Sequence, residues 1–296
     1  MKRLMISVLV AVLVLVSIAP TVLAKPDMNR PLPATDVQLV KKVTLRGKPN
    51  GGGKPVTQAA TGTLGANCSG AKYAVVVGIS DYPGTGSDLQ YCDDDAQDMY
   101  AALTTLYGYN SSNVDLLTDM GANFTAIRDA ISDVKSQAVA GDEVVFLFSG
   151  HGTNGVANDG DNEKTDEAIV SHNGSSLIAI WDGQLKAWFS DFNTSRIIFI
   201  FDSCLAGGMT DLQAPGRVIS MACSENGLSY EDDLWQNGQF TYFFVDQGML
   251  ASKADKYDNI SDVADVTVEE AFDYARASCQ VQKPAISDSF GNDLLP

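Results

Sequence analysis

The sequence predicts an α/β fold in which a central, mostly parallel sheet carries helices on both faces. Short apolar runs at residues 144–148 and 197–201 are rich in β-branched and aromatic residues, which is typical of strands buried on both faces. Such runs alternate along the chain with segments of helical periodicity. The chain has 296 residues and is 45% hydrophobic, so it is long enough to enclose a large core.

The first 24 residues have the pattern of a signal peptide. Lys2 and Arg3 precede an apolar run over residues 4–18, and small residues before position 25 suit cleavage after Ala24. The alternative is an uncleaved membrane anchor, although the run is short for a spanning helix. We therefore expect a secreted or cell-surface protein that meets a membrane only through this segment, if the segment is retained.

Residues 25–72 differ from the rest of the chain in charge and composition. They are rich in Pro and Gly and contain eight Lys or Arg against two acidic residues, whereas residues 73–296 contain ten against thirty-five. This contrast predicts a basic, flexible, propeptide-like leader that lies across an acidic cleft and is cut there; a solvated linker is the alternative. The overall charge of −17 argues against nucleic acid as a partner.

From residue 73 the pattern predicts one domain of alternating strands and helices. Capping residues and helical spacing of apolar residues predict the helices, and short apolar runs predict the strands. The predicted elements are a strand at 73–79, a helix at 93–106, a strand at 114–117, a helix at 125–138, a strand at 144–148, a hairpin at 168–180, a helix at 181–189, strands at 197–201 and 217–222, and helices at 240–250 and 268–277.

Two of the buried strands are followed by chemically active side chains. His151 lies between two glycines after the 144–148 strand, and Cys204 follows the 197–201 strand. Side chains at the carboxyl ends of neighbouring parallel strands meet at one edge of the sheet, and a Cys beside a His is a nucleophile with its base. The backbone N–H groups of Gly152 and Cys204 are candidates for an oxyanion hole. Spacing alone identifies no third residue that orients the histidine.

The cysteine count is odd. If Cys204 is the nucleophile, the other four are available for up to two disulfides in an exported protein, with a pairing that the sequence does not fix. These four are Cys68, Cys92, Cys223 and Cys279.

The two strand-end motifs resemble a known family. Residues 149–152 (Ser-Gly-His-Gly) and 202–204 (Asp-Ser-Cys) look like the catalytic signatures of caspase-like cysteine peptidases, above all metacaspases and the exported caspase-family proteins of prokaryotes. The His and Cys are 53 residues apart, close to the caspase spacing. Residues 73–82 and 89–96 resemble the family's first strand and a metacaspase segment. The resemblance implies a caspase-like three-layer sandwich with a sheet of about six strands.

The resemblance also bears on specificity. Caspases cut after Asp with the help of arginines, and this chain has no Arg between residues 79 and 95 or beside Cys204. Metacaspases cut after Arg or Lys, and the positions that match their acidic pocket are Asp95 and Asp202. Paired carboxylates select a guanidinium through bidentate hydrogen bonds. The alternative for Asp95 is helix capping.

An acidic stretch follows the histidine motif. Its residues Asp159, Asp161, Asp166 and Glu167 are candidate calcium ligands, because hard cations bind clustered oxygens, although the spacing is not that of an EF-hand. Related metacaspases often need calcium, so calcium is expected as an activator and not as a participant in the chemistry, which requires no cofactor.

These observations together predict an exported cysteine endopeptidase that cleaves peptides or proteins after Arg or Lys. We expect a precursor that processes itself after Arg46, Lys48, Lys54 or a neighbouring Lys. Two alternatives stay open: a non-catalytic cell-surface binding module on the same fold, and a transpeptidase that uses the same Cys-His dyad.

Overall fold

The computed structural model describes residues 25–45, 58–160, 163–255 and 265–296. The strands are β1 (Ala34–Val40), β2 (Val43–Leu45), β3 (Lys72–Gly78), β4 (Val114–Thr118), β5 (Glu143–Ser149), β6 (Gly152–Ala157), β7 (Asp166–His172), β8 (Leu177–Trp181), β9 (Ile197–Asp202), β10 (Arg217–Met221), β11 (Tyr230–Asp232), β12 (Asn237–Gly238) and β13 (Ala285–Asp288). The helices are α1 (Cys92–Thr105), α2 (Phe124–Gln137), α3 (Asp182–Phe189), α4 (Gln239–Thr241), which continues as a π-helix (Tyr242–Leu250), and α5 (Val268–Ser278).

The central sheet has six strands in the order β13-β10-β9-β5-β3-β4. Every neighbouring pair is parallel except β10 and β13, which pair antiparallel at one edge. In this order β5 and β9 lie side by side, with Ser149 opposite Asp202 at their carboxyl ends. The prediction of a mostly parallel sheet of about six strands is therefore confirmed.

Helices cover both faces of this sheet, and alternate residues of each strand face the two layers. On β5, Phe146 and Phe148 pack in a core with residues of α2 and α3. Val145 and Leu147, on the opposite face, pack with α1, the π-helix and α5. This period of two is what a strand buried on both sides requires. The predicted three-layer sandwich is confirmed.

Two smaller sheets lie at the carboxyl end of the central sheet. One has the order β1-β6-β7-β8 and contains the predicted hairpin, in which β7 and β8 pair antiparallel. The other has the order β12-β11-β2. Both therefore include a strand from the segment that precedes the central domain.

That segment differs from the sequence prediction. Within the residues 25–72 predicted to be a flexible leader, β1 pairs antiparallel with β6, and β2 pairs parallel with β11. The unpaired edges of β6 and β11 supply backbone partners that the leader's own sequence does not reveal. The predicted signal peptide and the predicted cleavage residues Arg46, Lys48 and Lys54 lie outside the described residues.

The disulfide expectation is not supported by the structure. All five cysteines are free thiols, and four of them are buried. Cys92 begins α1, Cys223 follows β10 and Cys279 directly follows α5, so they lie at the ends of different elements. In the described parts of the chain, no helix has both the length and the apolar character needed to cross a membrane.

Candidate active site

The carboxyl ends of β5 and β9 bring His151 and Cys204 to one edge of the sheet. His151 lies two residues beyond β5, and Cys204 lies two residues beyond β9. The two loops touch at Gly152, where an added Cβ atom would overlap the Cys204 carbonyl oxygen. Only glycine permits this approach, which explains the residue after the histidine. It also places the Gly152 and Cys204 backbones next to each other.

The imidazole of His151 is held from several sides. Its Nε2 lies 2.8 Å from the Ser87 carbonyl oxygen, and its Nδ1 accepts the Lys42 backbone N–H at 3.1 Å. Because Nδ1 accepts, the ring proton is on Nε2 and is donated to Ser87. The Tyr82 ring stacks on the imidazole at 4.9 Å, and its hydroxyl accepts the His151 N–H at 3.0 Å. Burial lowers the pKa of His151 to about 4, so the ring is neutral near pH 7.

The Ser87 carbonyl is thus the orienting group that sequence reasoning did not find. A backbone oxygen carries no residue-type signal, so spacing and motifs cannot reveal it. The stacking of Tyr82 was likewise missed, although this residue was part of the segment that resembled the family's first strand.

The thiol of Cys204 is covered by protein. Its Sγ donates to the Lys41 carbonyl oxygen at 3.4 Å and accepts the Ser229 N–H at 3.2 Å. Burial raises the pKa of Cys204 to about 11. The thiol is therefore protonated near pH 7, whereas the thiolate is the nucleophilic form of cysteine.

Near His151 and Cys204 lies an acidic pocket that contains both predicted residues, Asp95 and Asp202, with no exposed side-chain surface. The ammonium of Lys42 fills it, with Nζ 3.0 Å from Asp202 Oδ1 and 3.5 Å from Asp95 Oδ2. The same Nζ donates to Ser149 Oγ at 3.0 Å and contacts Cys92 Sγ at 3.7 Å. The structure therefore brings together the two carboxylates that sequence reasoning assigned to one pocket.

Charge complementarity holds Lys42 in this pocket as an ammonium. Burial alone would lower the pKa of Lys42, but the negative groups around it, above all Asp202, raise the pKa by more than burial lowers it. The pKa of Lys42 therefore lies well above its ordinary value. Burial raises the pKa of Asp95 to about 7, while Lys42 opposes that rise. No sequence motif identifies Lys42 as a pocket residue, because it is one of eight basic residues in residues 25–72.

The direction in which the leader passes His151 and Cys204 differs from that of a bound substrate. Cleavage after Lys42 requires the Lys42 carbonyl at the thiol and the Val43 nitrogen at the imidazole. The Lys41 carbonyl faces Cys204 instead, the Lys42 N–H faces His151, and the Val43 N–H donates to the Ser229 carbonyl at 3.0 Å. With Lys42 in the pocket, the leader thus runs opposite to a substrate that is cut after that residue.

The acidic stretch forms a cluster of carboxylates near these loops. One oxygen each of Asp159, Asp166 and Asp182 lies within 4.8 Å of the others, and Glu163, Glu167 and Asp182 form a second such group. Among the described residues, no hydrogen-bond donor reaches the buried Asp159 Oδ1. An oxygen-only donor set with an unsatisfied buried oxygen fits a hard cation such as calcium.

The cluster adds two residues to the predicted ligand set, Glu163 and Asp182, of which Asp182 begins α3. The predicted ligand Asp161 lies outside the described residues. Burial, followed by the nearby carboxylates of Glu225 and Glu163, raises the pKa of Glu167 to about 7. An added Cβ at Gly208 would overlap Glu167 Oε2, so the cluster borders the turn that follows Cys204.

Comparisons with known proteins identify the family of the chain. A family model described as the caspase domain matches residues 71–294. Metacaspase-4 of Arabidopsis thaliana is 34% identical over 148 residues, which are 47% of this chain and 34% of that protein. Metacaspase-1 of Schizosaccharomyces pombe is 32% identical over 157 residues, which are 50% of this chain and 36% of that protein. The matched part is thus about a third of each relative's length.

A solved structure supports the fold alone. A protein of Geobacter sulfurreducens superposes with a TM-score of 0.56 at 18% identity, covering 76% of this chain and 95% of that one. The family model spans most of the chain and includes both His151 and Cys204. The chain therefore belongs to the caspase-domain family, with metacaspases among its relatives.

Proposed function

We propose that this protein is a cysteine endopeptidase that cleaves peptides and proteins after Arg or Lys. The observation that carries the proposal is the ammonium of Lys42, seated between Asp95 and Asp202 directly beside the dyad. A pocket that holds a fully buried ammonium between two carboxylates would leave two buried charges without a partner if it held a neutral or acidic side chain. A basic substrate residue restores the balance, and Arg can bind both carboxylates.

The chemistry uses the two strand-end side chains. Cys204 Sγ attacks the carbonyl carbon of the bound basic residue, and its proton passes to His151 Nδ1, because Nε2 is already protonated and held by Ser87. The N–H groups of Gly152 and Cys204 stabilise the oxyanion. His151 then donates its proton to the leaving amine, which leaves a thioester on Cys204. Water attacks this thioester with His151 as base and releases the acid product.

The protein is made as a blocked precursor. Lys42 fills the pocket, its own N–H occupies the proton-accepting nitrogen of His151, and Lys41 covers the thiol. Because the pocket of the same molecule is filled, the predicted processing after Arg46, Lys48, Lys54 or a neighbouring Lys requires a second, open molecule. Catalysis by a mixture of open and blocked chains would therefore accelerate with time.

Export through the N-terminal signal peptide completes this proposal. The basic pattern before an apolar run and Ala24 supports it. N-terminal sequencing of the Cys204→Ala chain, which cannot process itself, tests it on protein recovered from the culture medium, and a secreted chain that begins at Lys25 is the expected result.

Calcium binding by Asp159, Asp166 and Asp182 is part of the same proposal. Bound calcium would neutralise the clustered carboxylates and hold the loops that carry them, next to the turn after Cys204. Activity measured with calcium and with a chelator tests the activating role; equal rates would remove it.

The test of the enzymatic proposal uses the Lys42→Ala chain, whose pocket is open, and the same chain that also carries Cys204→Ala, on fluorogenic peptides that end in Arg, Lys or Asp. The Lys42→Ala chain is expected to cut the Arg and Lys peptides only, and the double variant to cut none. Faster cleavage of the Asp peptide would overturn the acidic-pocket argument. Equal cleavage by both proteins would overturn the role of the thiol.

A further inference from the structure

We propose that Glu231 forms a second acidic subsite that selects a basic residue two positions before the one whose carbonyl is attacked. The attacked residue is called P1, and the residue two positions before it is called P3. This inference rests on the proposed function, because it concerns the same substrate groove. It adds a requirement on a second substrate side chain.

The leader marks where an extended peptide lies in the groove. β2 pairs with β11 so that Val43 is opposite Tyr230, and Thr44 is opposite Glu231. Side chains alternate along an extended chain, so Lys42 and Thr44 share one face. Lys42 enters the acidic pocket, and the Thr44 hydroxyl donates to Glu231 Oε1 at 2.7 Å.

The carboxylate of Glu231 is held in place before any ligand arrives. Its Oε2 accepts the backbone N–H groups of Gln90 at 3.1 Å and Tyr91 at 3.4 Å. The other oxygen points to the groove and meets Thr44. The side chain is completely buried under the leader. An anchored carboxylate with one oxygen directed at a peptide side chain is a preformed binding group.

The reversed direction of the leader does not change this assignment. A substrate that is cut after its pocket residue runs the other way along β11, so P3 takes the position of Thr44. Alternation places the residue two positions from the pocket residue on the same face in either direction. The P3 side chain of a substrate therefore reaches Glu231.

Charge decides which side chain binds there. Thr44 offers a neutral hydroxyl, whereas Lys or Arg would offer a charged donor to a desolvated carboxylate, and charge-assisted hydrogen bonds are about twice as strong as neutral ones. An acidic P3 residue would face Glu231 with Asp95 and Asp202 near by. We therefore expect kcat/KM to be highest with a basic residue at P3, intermediate with a neutral residue and lowest with an acidic residue.

The experiment uses the full chain carrying Lys42→Ala, so that the leader no longer fills the pocket. Peptides with Arg at P1 and Lys, Ala or Glu at P3 are compared by kcat/KM. Glu231→Gln is expected to lower the ratio of the Lys peptide to the Glu peptide about tenfold, with the preference for Arg at P1 unchanged. The amide of the variant keeps an oxygen for the N–H groups of Gln90 and Tyr91.

Asp233→Asn is the matched control. Asp233 lies on the same hairpin, is exposed and accepts from the Tyr91 hydroxyl, so its replacement removes one charge without touching the groove. The P3 ratio, which is kcat/KM of the Lys peptide divided by that of the Glu peptide, should be the same in this variant as in the Lys42→Ala chain. An equal drop in both variants would indicate a general effect of charge and would overturn the subsite.

The outcomes separate this inference from the proposed function. If Arg at P1 is required but Glu231→Gln leaves the P3 ratio unchanged, the subsite fails while the enzyme assignment stands. If no basic peptide is cut, the proposed function itself fails. Should Glu231→Gln fail to fold, the P3 ratio of the Lys42→Ala chain at low and high salt decides: no basic preference at either salt concentration overturns the subsite.

Discussion

The replacement Lys42→Ala tests the blocked precursor most directly. Lys42 is completely buried, with its ammonium 3.0 Å from Asp202 and 3.5 Å from Asp95. Its removal leaves two buried carboxylates without their counter-charge as long as the leader stays in place. Breaking a buried ion pair in this way costs about 3–5 kcal/mol. The cost falls on the closed state only, because water reaches the carboxylates once the leader moves away.

The size of the effect follows from that cost. Since about 1.4 kcal/mol is a factor of ten, a loss of about 3–5 kcal/mol raises the ratio of open to closed chains by about 10²–10³ or more. The initial rate on an Arg peptide should rise by the same factor until every chain is open. The assay is the first minutes of cleavage by the full-length chain, with intact mass measured in the same sample to exclude processing.

Two variants serve as controls. Lys41→Ala removes a neighbouring lysine that is exposed and contacts the Gly86 carbonyl, so its rate should stay near that of wild type. Lys42→Arg keeps a cation in the pocket and should stay blocked. Equal activation by the two alanine variants, or a Lys42→Ala rate below wild type, would refute the reasoning, because the ion pairs would then not hold the leader closed.

Three further predictions concern positions outside the pocket. Tyr82→Phe leaves the buried His151 N–H without an acceptor, and we expect kcat/KM in the open chain to fall about tenfold, measured on the same Arg peptide. Burial raises the pKa of Glu269 from 4.5 to about 8, so the folded state favours the protonated carboxyl. As the pH rises from 4.5 to about 8, the wild type should therefore lose a few kcal/mol of stability relative to Glu269→Gln, measured by thermal unfolding. We expect calcium to raise the Tm of the wild type; Asp159→Asn should abolish this rise, whereas the exposed Asp191→Asn should keep it.

Each of these has an outcome that contradicts it. Unchanged kcat/KM in Tyr82→Phe would show that the imidazole is positioned without the hydrogen bond to the Tyr82 hydroxyl. A Tm difference that does not vary with pH would mean that Glu269 titrates alike in the folded and unfolded chains. A calcium response retained by Asp159→Asn would place the cation elsewhere.

Local pattern was sufficient for the elements that carry the chemistry. The apolar runs before His151 and Cys204 predicted two buried strands, and the structure pairs them as β5 and β9. The carboxyl-end rule for parallel sheets then placed both side chains at one edge. Asp202 followed from its position two residues before Cys204. These inferences succeed because period, burial and motif spacing are all short-range properties of the chain.

The role of the leader could not be read in the same way. Lys42 contacts Ser149 and Asp202, which are 107 and 160 residues away along the chain. Composition predicted a flexible segment because the leader has little apolar surface of its own. The leader forms strands because β1 pairs with the edge of β6 and β2 pairs with the edge of β11. These edges exist only in the folded domain, so the sequence of the leader does not reveal which edge it pairs with or in which direction.

Sequence by itself thus predicted the sheet and the strand-end positions of His151 and Cys204, because both depend on residue type and local spacing, and the family resemblance supplied the two carboxylates around Lys42. The tertiary structure decided what the pocket holds, which backbone carbonyl orients His151, and that Asp182 joins the carboxylate cluster. Those features depend on contacts between distant segments, and several use backbone atoms that every residue shares. They arise only when the chain folds, because folding brings the Lys42 ammonium to the carboxylates of Asp95 and Asp202.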